Sequence, residues 1–466
     1  MAAVPLRRDH PPESSTMRHL IALIALAFAS HGNAAAASPP IAFVHVNVVP
    51  LATDGVLPDQ TVIVDHGLIQ AIGKDVAIPA GATVVDGHAT AWLAPGLADM
   101  HTHSDTRDDM AVYLANGVTS VLNMGEASNA FVGRTKPAAN RMEIPSPHVY
   151  TAFRVDGSPR YGSFVVRTPD EARWAVRLAK TNGHDFMKVY NDLSPDAFDA
   201  LVDEARIQGL PVVGHGIERV GLRRQLAAGQ LMVAHAEEFL YTVFDIDTAE
   251  DENAPPDDAQ IPAIVDFVKR SGAFITADLA TYAAIAHQWG KPAVVDAFLR
   301  APESRYLSPR DRISWKREGY ASRQGSLDGR LAFLGRFVKA MSDAGVPLIT
   351  GTDAPAIPGM PPGFSLHDDM DRLVLAGLSR QQVLAAASRA PGQMIVRAFP
   401  DQAPFGVVTP GARADLVLSA GNPLDNLATL RAPLGVMAGG RWYDHGQLQG
   451  LLQGVARGYA EAGFPG

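Results

Sequence analysis

Pro95-Gly-Leu-Ala-Asp-Met-His101-Thr-His103 is the stretch on which the reading of this 466-residue chain turns. A short, mostly apolar run ends in two histidines spaced by two, the period of a β-strand, so both imidazoles leave the same face of one strand. An H-x-H pair alone is weak evidence, because two surface histidines look the same. Its surroundings add weight. From residue 94 onward, short apolar runs alternate with helical patterns, the signature of βα units and a parallel sheet. The runs lie near 94–100, 118–124, 147–152, 184–190, 210–215, 231–236, 273–278 and 346–352, with helical patterns such as 169–182, 195–208 and 331–344 between them. Eight such repeats predict an α/β chain folded as a (β/α)8 TIM barrel, with a doubly wound sheet as the alternative.

Four later strands end as the first does. Lys188 closes the fourth, His215 the fifth, His235 the sixth and Asp353 the eighth. Each has an ordinary explanation alone: a core histidine, an ion pair, a turn cap. Together they stand at the carboxyl rim, where barrel enzymes place their catalytic groups. Four imidazoles and a carboxylate suit zinc or a similar transition ion rather than calcium, which prefers oxygen ligands. Tyr190, two residues after Lys188, projects to the same side, either toward a developing oxyanion or against the barrel wall. Arg154 and Tyr161, placed after the third strand, are candidates to hold a substrate carboxylate. His148, His184 and His287 match no role and read as structural.

Composition narrows the chemistry. Lys plus Arg number 40 against 49 Asp plus Glu, a net charge of −9, so no basic excess is available for a nucleic-acid backbone. The absence of cysteine excludes disulfides, thiolate nucleophiles, Cys-bound zinc and iron–sulfur clusters. No G-x-S-x-G, H-E-x-x-H, Walker-type loop or G-x-G-x-x-G occurs, which leaves serine-hydrolase and nucleotide readings without support.

The ends have their own logic. Arg18 and His19 precede an unbroken apolar run at 20–29 and small residues at 32–37, the pattern of an export signal, with Met17 as an alternative start. That run is too short to span a bilayer, which takes about 20 residues. The expectation is an exported protein, periplasmic or secreted, with 1–38 as signal peptide and leader. Short strand-like pieces at 39–92 and again at 399–450 are each too small to bury a core, so one small β-sandwich built from both ends is expected. The barrel then occupies 93–398 and a tail 451–466. Two long segments interrupt it: 241–262, a solvated loop or an active-site lid with seven acidic and no basic residues in 241–258, and roughly 288–326.

The motifs Pro95-Gly-Leu-Ala-Asp-Met-His-Thr-His, Asn116-Gly-Val-Thr-Ser-Val, Gly214-His215, Ala234-His235, Gly351-Thr-Asp353 and Gly411-Ala-Arg-Ala-Asp-Leu-Val together resemble the amidohydrolase superfamily, in its imidazolonepropionase-like and prolidase-like branch. The resemblance covers about residues 41–445. It implies His101, His103, His215, His235 and Asp353 as metal ligands, and Lys188 as a lysine carboxylated by CO2 that bridges two divalent ions, zinc first among them. The rival is a single ion with Lys188 as an ordinary cation, as in mononuclear deaminases and imidazolonepropionase. The implied activity is attack of a metal-activated hydroxide on an amide carbonyl, with Asp353 as proton carrier and an N-acyl amino acid or dipeptide as substrate. Lactone, carbamate or cyclic-amide opening uses the same machinery. A non-catalytic exported binding barrel is the reading from another class. The resemblance also implies a small-molecule partner and homo-oligomers, while the charge balance and the short apolar run lead to the expectation of no nucleic-acid partner and no membrane span.

Overall fold

The computed structural model describes residues 39–461, so the expected export segment at 1–38 and residues 462–466 lie outside the described residues. Eight parallel strands form one ring in chain order: β1 (Leu97–Thr102), β2 (Val118–Asn123), β3 (His148–Asp156), β4 (Phe186–Val189), β5 (Val212–Gly214), β6 (Met232–Val233), β7 (Phe274–Thr276) and β8 (Leu348–Ile349). The last meets the first: Met100 N–H donates to the Thr350 carbonyl at 3.0 Å and Thr352 N–H to the His101 carbonyl at 3.1 Å. The fold is the (β/α)8 barrel. The sequence explains its helices locally. Pro169–Asn182 starts at a Thr168–Glu171 capping box and Pro195–Gln208 at Ser194, and each ends on a left-handed glycine, Gly183 and Gly209.

Strand lengths differ from expectation in two ways. β3 runs on past residue 152 to Asp156, so Arg154 sits within the strand rather than after it. β6 and β8 are shorter than expected, and His235 and Asp353 just beyond them take left-handed φ values of 77° and 56°, which a continuing strand does not allow.

The second sheet joins both ends of the described chain. Its order is Arg441–Asp444, Gly435–Ala438, Leu416–Ser419, Trp92–Pro95, Ile41–Val48, Leu57–Asp65 and Leu68–Gly73, with Thr83–Asp86 added on Ile41–Val48. The joint is the antiparallel ladder that sets Leu416 opposite Pro95 and Ser419 opposite Trp92. Phe43, Val62, Leu93, Leu416 and Met437 share its core. Arg413 fastens this sheet to the barrel, bonding Asp415 and the Ser120 hydroxyl at 2.6 Å each. Residues 445–461 form one helix, so the described part of the segment expected as a tail from 451 is that helix's second half, with Leu452 and Val455 buried. No helix among the described residues is long and apolar enough to cross a membrane.

Both insertions are ordered by contacts that reach across the rim. The acidic loop is held by Arg330, which bonds the Glu252 and Ala254 carbonyls, and by Arg336, which bonds both oxygens of Asp258. The second insertion carries helices Pro292–Arg300 and Pro309–Arg317 around a core of Val295, Leu299, Leu307 and Trp315. Trp315 Nε1–H donates to the Pro355 carbonyl at 2.7 Å, which sets this insertion beside the end of β8.

Candidate metal centre

The rim is assembled by backbone geometry first. Asp353 N–H donates to the His101 carbonyl at 2.8 Å and His103 N–H to the Ala354 carbonyl at 2.7 Å, so the loop after β8 is laced to the end of β1. Asp99, buried below, accepts from the Thr352 hydroxyl at 2.6 Å. Close approach then demands glycine at two points. A Cβ on Gly351 would stand 2.5 Å from an Asp278 carboxylate oxygen and 2.7 Å from His101 Cβ. One on Gly214 would stand 2.3 Å from the Val189 carbonyl and 3.1 Å from Lys188 Cγ. His235, Asp278 and Asp353 all have left-handed φ, at about 1–2 kcal/mol each for a residue with a Cβ. Strain of this kind gathers at functional sites.

Lys188, His101, His103 and Asp353 meet directly. Asp353 Oδ1 lies 2.9 Å from His103 Nε2 and 3.2 Å from His101 Nε2, and Lys188 Nζ lies 3.2 Å from that same His101 nitrogen. Lys188 is fully buried, and that burial pushes its amine down to about 8. His101 is lowered to about 4 by burial and by the neighbouring Lys188 charge, so its imidazole is neutral. Burial would raise Asp353, yet His103 and His101 hold it well below the usual carboxylate range. His103 Nδ1 faces the Gly125 carbonyl at 3.2 Å, which directs Nε2 inward.

The other two histidines approach from β5 and β6. The His101 and His235 rings are 4.2 Å apart, and His215 and His235 5.2 Å apart. His215 Nδ1 lies 2.9 Å from Asn191 Oδ1 and 3.0 Å from Glu238 Oε1, while its Nε2 is buried without a partner. One residue of the site was not anticipated. Asp278, beyond β7, is fully buried with Oδ2 at 2.5 Å from His235 Nδ1 and 3.4 Å from His101 Nδ1. The ring of strand-end groups extends to it: Thr276-Ala-Asp278 ends the seventh strand at the same rim.

These groups fit a divalent cation. His101, His235 and Asp353 bring ligand atoms within 4.8 Å of one another. His101 Nδ1, His235 Nδ1, His215 Nε2 and both Asp278 oxygens are buried without aligned hydrogen-bond partners, a concentration that protein interiors avoid unless something else satisfies them.

The remaining candidates form one wall. Tyr190 packs its ring 4.1 Å from His215 and 5.2 Å from Tyr161, and the Arg154 guanidinium lies 5.1 Å from the Tyr190 ring centre. Arg154 Nη2 donates to Glu126 Oε1 and to the Tyr161 carbonyl, both at 2.6 Å. Its charge is therefore already matched by Glu126. His148, His184 and His287 pack elsewhere, against Tyr150, Phe153 and Phe298.

No family model matches the chain. A dihydroorotase from Trichlorobacter lovleyi is 28% identical over 189 residues, 40% of each chain, so this chain spans well under half of that relative's length. Bottromycin amidohydrolase superposes with a TM-score of 0.70 at 22% identity over 90% of both chains. A Xaa-Pro dipeptidase with bound methionine superposes with a TM-score of 0.64 at 18% identity, over 87% of this chain and 100% of the other. The closed barrel with a second sheet joined from both ends of the described chain is thus the fold of these amidohydrolase and dipeptidase structures, and over the matched 189 residues the chain is similar to a dihydroorotase.

Proposed function

We propose that the protein is a metal-dependent hydrolase that cleaves the carbonyl C–N bond of a small amide, first of all an N-acyl amino acid or a dipeptide. The observation that carries this reading is the convergence of Asp353 on both histidines of the H-x-H pair, with Lys188 Nζ against the same His101 nitrogen. A divalent cation at such a site, zinc or a similar ion, supplies Lewis acidity and a water whose pKa falls to about 7. His101, His103, His215 and His235 offer ring nitrogens for it. Asp353 Oδ1 accepts a proton from the attacking water and delivers it to the leaving nitrogen. Burial keeps the Tyr190 phenol protonated, so its O–H is a donor for the carbonyl oxygen as charge develops. Arg154 holds the Tyr161 segment and the Tyr190 ring in place while Tyr161 lines the substrate side.

For Lys188 we propose carboxylation by CO2. An ammonium repels a cation, whereas a carbamate on Lys188 would offer anionic oxygens to hold divalent ions at the site. Its burial favours the neutral amine that CO2 requires. A second reading, one ion and a cyclic amide as substrate, is favoured by the compactness of His101, His235 and Asp353 and by the dihydroorotase similarity. Metal-loaded protein assayed for hydrolysis products on N-acyl amino acids, dipeptides, cyclic amides and lactones, by mass spectrometry, separates these. Turnover of linear amides that Asp353→Asn abolishes supports the first reading, turnover confined to rings the second, and no turnover of any substrate contradicts both.

We further propose export, on the apolar run at 20–29, and self-association, which only the family resemblance suggests. The N-terminal sequence of the protein recovered from its native host tests the former: a chain retaining residue 17 contradicts it. Size-exclusion chromatography with light scattering tests the latter.

A further inference from the structure

We propose that a cavity beside the metal centre is the subsite for a cationic group, a guanidinium or ammonium, on the amide substrate, an inference that rests on the hydrolase reading above and names its substrate class. The cavity, about 230 Å³, lies between the end of β1 and helix Pro309–Arg317, and is bounded by His103 and by Pro355, two residues past Asp353. Four carboxylates line it, Asp105, Asp109, Glu126 and Asp311, against the single guanidinium of Arg310. Glu126 is paired with Arg154, which leaves the carboxyl groups of Asp105, Asp109 and Asp311 facing one cation.

Acidic residues together do not make a binding site; Asp109 does so here. It is 2% exposed, it faces the cavity, and its Oδ1 has no hydrogen-bond partner. Leaving a buried acceptor unpaired costs about 1–3 kcal/mol, a deficit that an N–H donor entering the cavity removes. Burial, with the Asp311 charge adding to it, raises the Asp109 carboxyl to about 8, a shift that a cation reverses. The cavity's walls are fixed before anything enters. Ser308 Oγ bonds Asp311 Oδ2 at 2.6 Å, and Trp315 pins the helix to the Pro355 carbonyl. A metal ion is the wrong occupant. Among the described residues, the group of three whose ligand atoms converge on one point is His101, His235 and Asp353, so the cavity carboxylates are spread around their space. A planar cation with several outward N–H donors matches that spread.

Two isosteric pairs test the proposal, each differing in charge and little in shape. Calorimetry on metal-loaded protein compares butylguanidinium with butylurea and needs no turnover. The cation binds at least about tenfold more tightly, and Asp109→Asn and Asp311→Asn each cut that preference to about threefold or less. Asp311 is only partly buried on its helix, less so than Asp109, so its variant stays informative even where Asp109→Asn folds poorly. Kinetics then compare N-acetyl-L-arginine with N-acetyl-L-citrulline, with the same preference expected in kcat/KM. Equal binding of the first pair, or a preference that both variants retain, overturns the subsite. Amides hydrolysed without regard to charge overturn it while sparing the hydrolase reading. Selective cation binding with no amide cleaved does the reverse.

Discussion

The bodies of the barrel strands and their carboxyl ends are consecutive in sequence and opposite in character. Phe186, Val213, Met232, Phe274 and Ile349, from five strands, share one buried apolar cluster. At most four residues further on stand Lys188, His215, His235, Asp278 and Asp353, with left-handed backbone at three of them and orphaned polar atoms at three. The strand bodies hold the barrel together, and the ends accept strain and unmet hydrogen bonds that the bodies make tolerable. Stability and chemistry are separated by a few ångströms along each strand.

Substitutions break or sharpen that contrast, the largest effect first. Asp353→Asn is expected to lower kcat by about 10²–10⁴-fold with a melting temperature near that of the parent, since it removes a proton acceptor and no packing. A large fall in melting temperature would erase the contrast. Phe186→Ala is the mirror experiment: about 3–5 kcal/mol of stability is lost to a cavity in a cluster where the ring also meets Phe399, measured by denaturant unfolding. Asp278→Asn tests the boundary between the two. It leaves His101 and His235 without their shared carboxylate, and metal affinity is expected to fall about 10–100-fold, read by competition with a chelator. Smallest is Arg336→Ala on the acidic loop, an exposed pair worth about 0–1 kcal/mol, whose loss leaves the site unchanged.

The sequence was informative where a residue type and a spacing coincide. Apolar runs alternating with helical patterns predict the barrel, and histidines spaced by two with polar residues closing later runs pick out Lys188, His101, His103 and Asp353, which meet in the structure. The same rule reaches Asp278 at the end of the seventh strand. Arg154 was harder. Its partner Glu126 lies in the loop after β2, and a pair between separate strands leaves no local pattern. The long second insertion was also opaque, because it is ordered by a small separate core and by contacts distant in sequence, such as Trp315 reaching a carbonyl 40 residues away. The helix over 445–461 was hidden by glycines at 446, 450, 454 and 458, which lower helix propensity while Leu448, Leu452 and Val455 supply the buried stripe that stabilises it.

The central claim is that the rim is a centre for two divalent ions with Lys188 between them. Metal content per chain, by elemental mass spectrometry on protein purified with bicarbonate, tests it most directly when the parent and Lys188→Ala are measured side by side. Two equivalents in the parent, falling to one or fewer in the variant, is the result expected. One equivalent in both, or a loading that Lys188→Ala leaves untouched, would contradict it.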